Sequence, residues 1–135
     1  MSSVYRLDVE ARERLMARLR TELSGRSDVL FAFVFGSFLD RGAFRDIDVG
    51  IFTTDSAGPR LDIELAAALS EACGVPVDVR RINAAPVPFL FHVLRGRAVA
   101  VRDETRLADL MERTAREYHD RAPFLRRATE DAFAR

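Results

Sequence analysis

The 135-residue sequence has no lysine, no tryptophan, one cysteine and two histidines. All 21 of its basic side chains are arginines, a usage that reads as genomic base composition and that puts lysine chemistry out of reach. A lone thiol, Cys73, excludes an internal disulfide. With only His92 and His119 to add to it, one chain cannot assemble a Cys/His zinc site. Neither charge is in surplus, since 21 basic and 21 acidic residues sum to zero, so no general pull toward nucleic acid or acidic membrane is expected. The longest unbroken apolar run, Val29 to Phe35, falls far short of the roughly 20 residues that cross a bilayer. Residues 1–10 lack the basic-then-apolar pattern of a secretory leader, and the expected location is the cytoplasm. No internal repeat or low-complexity tract suggests a solenoid or a long linker.

What is present is enough apolar side chain, 48% of the residues, to build a real core, at a length that suits a single domain over 1–135. Ala11, Leu15, Leu19 and Leu23 recur every four residues and predict a first helix over Asp8 to Ser24, ended by Gly25. Leu30 to Phe35 is apolar at every position, as a strand covered on both faces would be. Asp46 to Phe52 alternates, with Ile47, Val49 and Ile51 on one side and Asp46, Asp48 and Gly50 on the other. Pro59 is expected in the first turn of a second helix carrying Leu61, Leu65, Ala68, Leu69 and Ala72 and closed by Gly74. Val75 to Arg80 alternates again, with Asp78 opposite its valines. Pro86 to Arg95 has Val87, Leu90, Phe91 and Leu94 at helical spacing, and Ala98 to Val101 reads as a short last strand. Asp103 is placed to cap a last helix with Leu107, Leu110, Met111, Thr114 and Tyr118 inward, and Pro123 should break or kink it. The order αβ(α)βαβαβα implies an α+β fold, a mixed sheet with helices packed on it.

The constellation that carries chemistry is Gly36-Ser37 at the end of a buried strand, followed after eight residues by Asp46-Ile47-Asp48. Glycine lets a phosphate approach the backbone, and a serine hydroxyl with the free N–H groups of a short following helix can hold it. Aspartates two apart on a strand project side by side about 6 to 7 Å apart, and at an effective dielectric near 20 they repel by roughly 2.5 kcal/mol. A cation between them removes that cost. If Asp78 shares their face, three carboxylates converge in a manner suited to one or two Mg2+ ions with oxygen ligands. Taken singly, Gly-Ser is most often an ordinary turn and Asp-x-Asp most often a surface pair. Together, with the third acid interrupting valines, they point to phosphoryl or nucleotidyl transfer, with Asp78 the candidate general base.

Phe35-Gly36-Ser37, Arg41-Gly42, Arg45-Asp46-Ile47-Asp48-Val49 and Val77-Asp78-Val79 resemble the minimal nucleotidyltransferases (MNT proteins) of the DNA polymerase β superfamily. The likeness extends to Ile82-Asn83-Ala84-Ala85-Pro86 and to a last helix bearing Tyr118 and Asp120. It implies a nucleotidyltransferase fold using Mg2+ and ATP, with Gly36 and Ser37 binding the triphosphate and Asp46, Asp48 and Asp78 as metal and catalytic acids. It also implies a partner, because many MNT proteins are antitoxins of HEPN ribonuclease toxins and some transfer AMP to a toxin tyrosine. The stretch Phe38 to Arg45 is shorter than the family's usual spacing, so the helix after Ser37 is expected to be trimmed.

Other residues weigh less. Arg41 and Arg45 could clamp a phosphate, but pairing with Asp40 or Asp46 is the preferred reading. His92 reads as a packed or surface residue, His119 as solvent-facing and Cys73 as a small core residue. Phe89, Phe91, Phe124 and Phe133 are more aromatic than a small core needs, and part of that set could face a partner. The charged run Glu112 to Arg135 reads as a solvated helix face or a docking surface. Two other functions compete with transfer: a non-catalytic binding module that neutralises its partner stoichiometrically, and a nuclease, which the neutral charge argues against.

Overall fold

A computed structural model describes residues 3–40 and 42–133, with side-chain surroundings up to residue 120. Helix α1 (Val9–Ser24) starts where the Asp8 carboxylate accepts the N–H of Ala11 at 2.8 Å and stops at Gly25. Its buried stripe is Met16, Leu19 and Leu23, so Met16 rather than Ala11 meets the core. Strand β1 (Val29–Phe35) leads into a single 3-10 turn, Ser37–Leu39, which is the trimmed helix expected from the short spacing. Strand β2 (Ile47–Thr53), helix α2 (Leu61–Cys73), strand β3 (Val77–Arg81), helix α3 (Val87–Leu94), strand β4 (Arg97–Val101) and helix α4 (Glu104–Phe133) follow.

The sheet order is β3-β2-β1-β4, with β1 antiparallel to both neighbours and β3 parallel to β2. A central strand covered on both faces has no use for polar alternation, which is why β1 is apolar throughout. Its even-numbered Ala32 and Val34 join α1 and α2 in one core with Ile47, Val49, Ile51, Leu65 and Leu69. Its odd-numbered Phe31, Phe33 and Phe35 face the other way, into a second core with Phe52, Ile82, Val93 and Leu110. Between β2 and β3 the chain must cross over, and α2 does so, ending on Gly74 in the left-handed region (φ 72°), a conformation glycine adopts without penalty.

Several expectations shift. Pro59 precedes the N-cap residue Arg60 instead of lying inside α2. In α3, Val93 is fully buried while Phe91 is only partly so, stacking on Tyr118 at 3.7 Å between ring centroids. Asp103 caps α4 as expected, accepting the N–H of Arg106 at 2.9 Å, but Met111 turns outward at 43% exposure. The break expected at Pro123 does not occur, and α4 continues to Phe133. One missing N–H in a 30-residue helix leaves the remaining ladder to carry the chain past it. The side chains of Phe124 and Phe133 lie outside the described surroundings, as does Arg41. Among the described residues no helix is long and apolar enough to cross a membrane.

Candidate active site

The phosphate corner begins where β1 runs out. Gly36 has φ 84° and ψ −161°, which only glycine tolerates, and this turns the chain abruptly into the Ser37–Leu39 turn. The turn closes with Leu39 N–H donating to Gly36 O and Asp40 N–H to Ser37 O, both at 3.1 Å. Its first N–H groups have no partner within the turn. Phe38 is buried against Phe44, edge to face at 4.9 Å, and anchors the turn to the core beneath. The Arg12 guanidinium reaches across from α1, donates to the carbonyls of Leu7, Phe38 and Gly42, and lies 5.4 Å from the centroids of both rings. The loop from corner to acids is thereby held at both ends.

Strand register decides where the acids go. Phe35 pairs with Asp48 across β1 and β2, and Asp48 pairs with Asp78 across β2 and β3. Directly opposed residues of adjacent strands share a face, so Phe35, Asp48 and Asp78 form one row. Asp46, two residues before Asp48, enters from the end of that face. A side-chain carbon at Gly36 would collide with the Asp48 carboxylate, so the corner and the acids are in direct contact. Further along β2 on the same face, Gly50 has the space of its absent side chain filled by Val93 and Ile82. Helix α3 therefore covers the sheet over Gly50 and, through Phe89 and His92, over Phe35 at one end of the row, leaving Asp78 at the other end exposed.

Asp48 is half-buried, and its carboxyl is pushed up from the ordinary 3.8 to about 6. Burial is the first cause and the charges of Asp46 and Asp78 add to it, while Arg80 and His92 oppose it. Asp78 is more exposed, and Arg80 Nε lies 3.4 Å from its Oδ2. Three carboxylates and no thiolate are the donors of a hard divalent cation, and the raised Asp48 carboxyl is the penalty such a cation relieves. As they stand, no three His, Cys, Asp or Glu side chains among the described residues are drawn together tightly enough to be a ready ligand set. Mutual repulsion and the Arg80 pair both act against closer approach.

The remaining candidates separate cleanly. Arg45 is exposed and, against expectation, pairs with neither Asp40 nor Asp46 among the described residues; an exposed guanidinium gains little from such a pair. Cys73 packs beside the first core, and burial pushes its thiol upward, as suits a structural residue. His119 is exposed. Asn83 is a latch: its side-chain oxygen accepts Thr53 N–H at 3.0 Å and its amide donates to Thr53 O at 2.9 Å, tying the segment after β3 to the end of β2. Phe89 packs edge-on against Phe35 at 5.6 Å and Phe91 stacks on Tyr118, so these two members of the aromatic set are spent inside the chain. His92 is not merely a surface residue. Together with Arg95, which the sequence reading passed over, it lines a cleft of about 510 Å3 that also includes Gly36 and Ser37. Their spacing of three on a helix was the available signal.

Compared with known proteins, residues 18–105 match the family described as "Polymerase beta, Nucleotidyltransferase". The chain belongs to this nucleotidyltransferase family. Among solved structures it is similar to a chain of the Shewanella oneidensis complex of a tri-AMPylated HEPN toxin with an MNT antitoxin, with TM-score 0.62 and 20% identity, covering 93% of this chain and 98% of that one. It is also similar to a chain of the MntA-HepT toxin-antitoxin structure, with TM-score 0.60 and 19% identity over 95% and 100% of the two chains. A third likeness, to a toxin-antitoxin structure with AMP-PNP, has TM-score 0.64 and 20% identity over 92% and 98%. At these identities the likeness establishes a common fold. No curated protein gives a significant match.

Proposed function

We propose that this chain transfers AMP from ATP, with Mg2+, to a hydroxyl of a partner protein, a tyrosine by preference, and so acts in the cytoplasm as the antitoxin of a HEPN-type ribonuclease toxin. The observation that carries the reading is the row of Asp48 and Asp78, one strand register apart, with Gly36 pressed against Asp48. Support for the acceptor and partner comes from neighbours of the same fold, one of them in complex with a tri-AMPylated HEPN toxin and another holding AMP-PNP.

In this reading Gly36 and Ser37 seat the triphosphate, because a backbone without a side chain and a turn with free N–H groups can come close to an anion. Asp46, Asp48 and Asp78 would hold Mg2+, which when bound supplies neutralisation of the phosphate charge and a fixed orientation. Asp78 stands on the edge strand, more exposed than Asp48, where an acceptor hydroxyl can reach it and surrender its proton. The hydroxyl oxygen bonds to the α-phosphorus, the bond to the β-bridging oxygen breaks, and pyrophosphate leaves with that electron pair. The second reading, a stoichiometric binder of the same fold, draws on one observation, the Arg80–Asp78 pair that occupies the candidate base.

Incubation with α-labelled ATP, Mg2+ and the protein encoded beside this one separates the two. Transfer predicts label and an added AMP mass on the neighbour, abolished by Asp46→Ala with Asp48→Ala. Inhibition of the neighbour that survives EDTA and those substitutions, with no mass change, establishes the binder instead.

A further inference from the structure

The cleft beside the phosphate corner is not accounted for by the acids. Its wall at the end of α3 carries His92 and, three residues on at the C-cap position, Arg95. Both are held by aromatic contacts, and neither donates a side-chain hydrogen bond to another of the described residues. The His92 ring stands edge-on to Phe35 at 5.4 Å, and the Arg95 guanidinium lies 5.5 Å over Phe91, itself stacked on Tyr118. Neither enters an ion pair among the described residues. Asp40 is the one carboxylate on the described lining, and it repels an anion toward the α3 wall.

Gly36 joins this cleft to the acid row, because it touches Asp48 on one side and lines the cleft on the other. A chain of phosphates that begins at the acids and passes Gly36 and Ser37 therefore runs into the cleft. We propose that His92 and Arg95 are the pyrophosphate end of the site: they bind the two distal phosphates of a nucleoside triphosphate and make the protein select triphosphate over monophosphate. The assignment rests on the nucleotidyltransferase reading above. Arginine suits the role because its planar fork meets two phosphate oxygens at once, and its charge lies where the departing pyrophosphate gathers electrons as the α–β bond breaks. A volume of about 510 Å3 accommodates two phosphates and their remaining water.

The test is titration calorimetry of the full chain with ATP, AMP and inorganic pyrophosphate, each with Mg2+, on the wild type, His92→Gln, Arg95→Gln and the double variant. Arg18→Gln on α1, whose guanidinium pairs with Glu22, controls for loss of one positive charge elsewhere. The expected result is a loss of roughly tenfold or more in ATP and pyrophosphate affinity for Arg95→Gln, a larger loss for the double variant, and AMP affinity within about twofold. Arg18→Gln should bind all three as the wild type does. Unchanged ATP affinity in the double variant overturns the assignment, and so does an equal fall for ATP and AMP, which would mark a structural role. A wild type that binds neither ATP nor AMP overturns the nucleotidyltransferase reading, and this assignment with it.

Discussion

The two faces of the sheet are built for different ends. Toward α1 and α2 the sheet presents Ala32, Val34, Ile47, Val49, Ile51, Val77 and Val79, a closed apolar layer without a polar interruption. Toward α3 and α4 the same strands present Phe31, Phe33, Phe35 and Phe52, and beside Phe35 the row passes into carboxylates. The first face carries the larger buried core, so the second can give up part of its burial to hold three like charges close together. That division is open to attack from either side.

The largest effect should come from the open face. Asp46→Ala with Asp48→Ala is expected to cut AMP transfer by about 10^3-fold, read as label per unit time, with thermal stability preserved or raised because a repulsion has been removed. A double variant that melts like a core mutant would break the comparison. On the closed face, Leu69→Ala should cost about 2 to 5 kcal/mol by denaturant unfolding. Transfer per folded molecule should stay within about twofold. Gly36→Ala tests the seam between corner and acids. It forces a side chain into an unfavourable φ and into the Asp48 carboxylate, at a cost of about 1 to 3 kcal/mol and a marked loss of ATP affinity. Gly58→Ala, with open space at its α-carbon, should change neither.

The smallest effect is a pH dependence that only the open face should show. Asp48 titrates near 6 in the folded chain against an ordinary 3.8, so the folded state favours its protonated form. The associated stability is fully present below about pH 4 and is lost as pH rises through 6, amounting to about 1 kcal/mol once solvent screening is allowed for. Asp48→Asn should flatten that slope in metal-free melts. The wild type should bind Mg2+ more tightly as pH rises across the same interval, because proton and cation compete for one carboxylate.

Much of this division is written in local pattern. An all-apolar β1 in a chain whose next two strands alternate announces a central strand, and the parity of Asp48 and Asp78 against their valines already puts each acid opposite the first core. What local pattern leaves open is register. Nothing in Val75 to Arg80 says that Asp78 stands opposite Asp48 and not two residues away, since that depends on how α2 returns the chain. His92 and Arg95 escape for the same reason, because a helix surface acquires meaning only from what it is laid against. Met111 shows the limit of periodicity: a stripe can be right in spacing and still have one member turned out to solvent.

The antiparallel pairing of β1 with β2 has a consequence for assembly. The corner, its 3-10 turn and the first two acids belong to one hairpin, a unit that closes on the microsecond scale from neighbouring sequence alone. The third acid arrives only when the α2 crossover has docked β3 alongside, a contact between distant segments that is slower to form. A nascent or partly unfolded molecule can thus possess the Gly36 corner and its two neighbouring acids while lacking Asp78, the proton acceptor in the proposed transfer. Competence for the proposed transfer becomes a readout of folding, withheld until β3 is home.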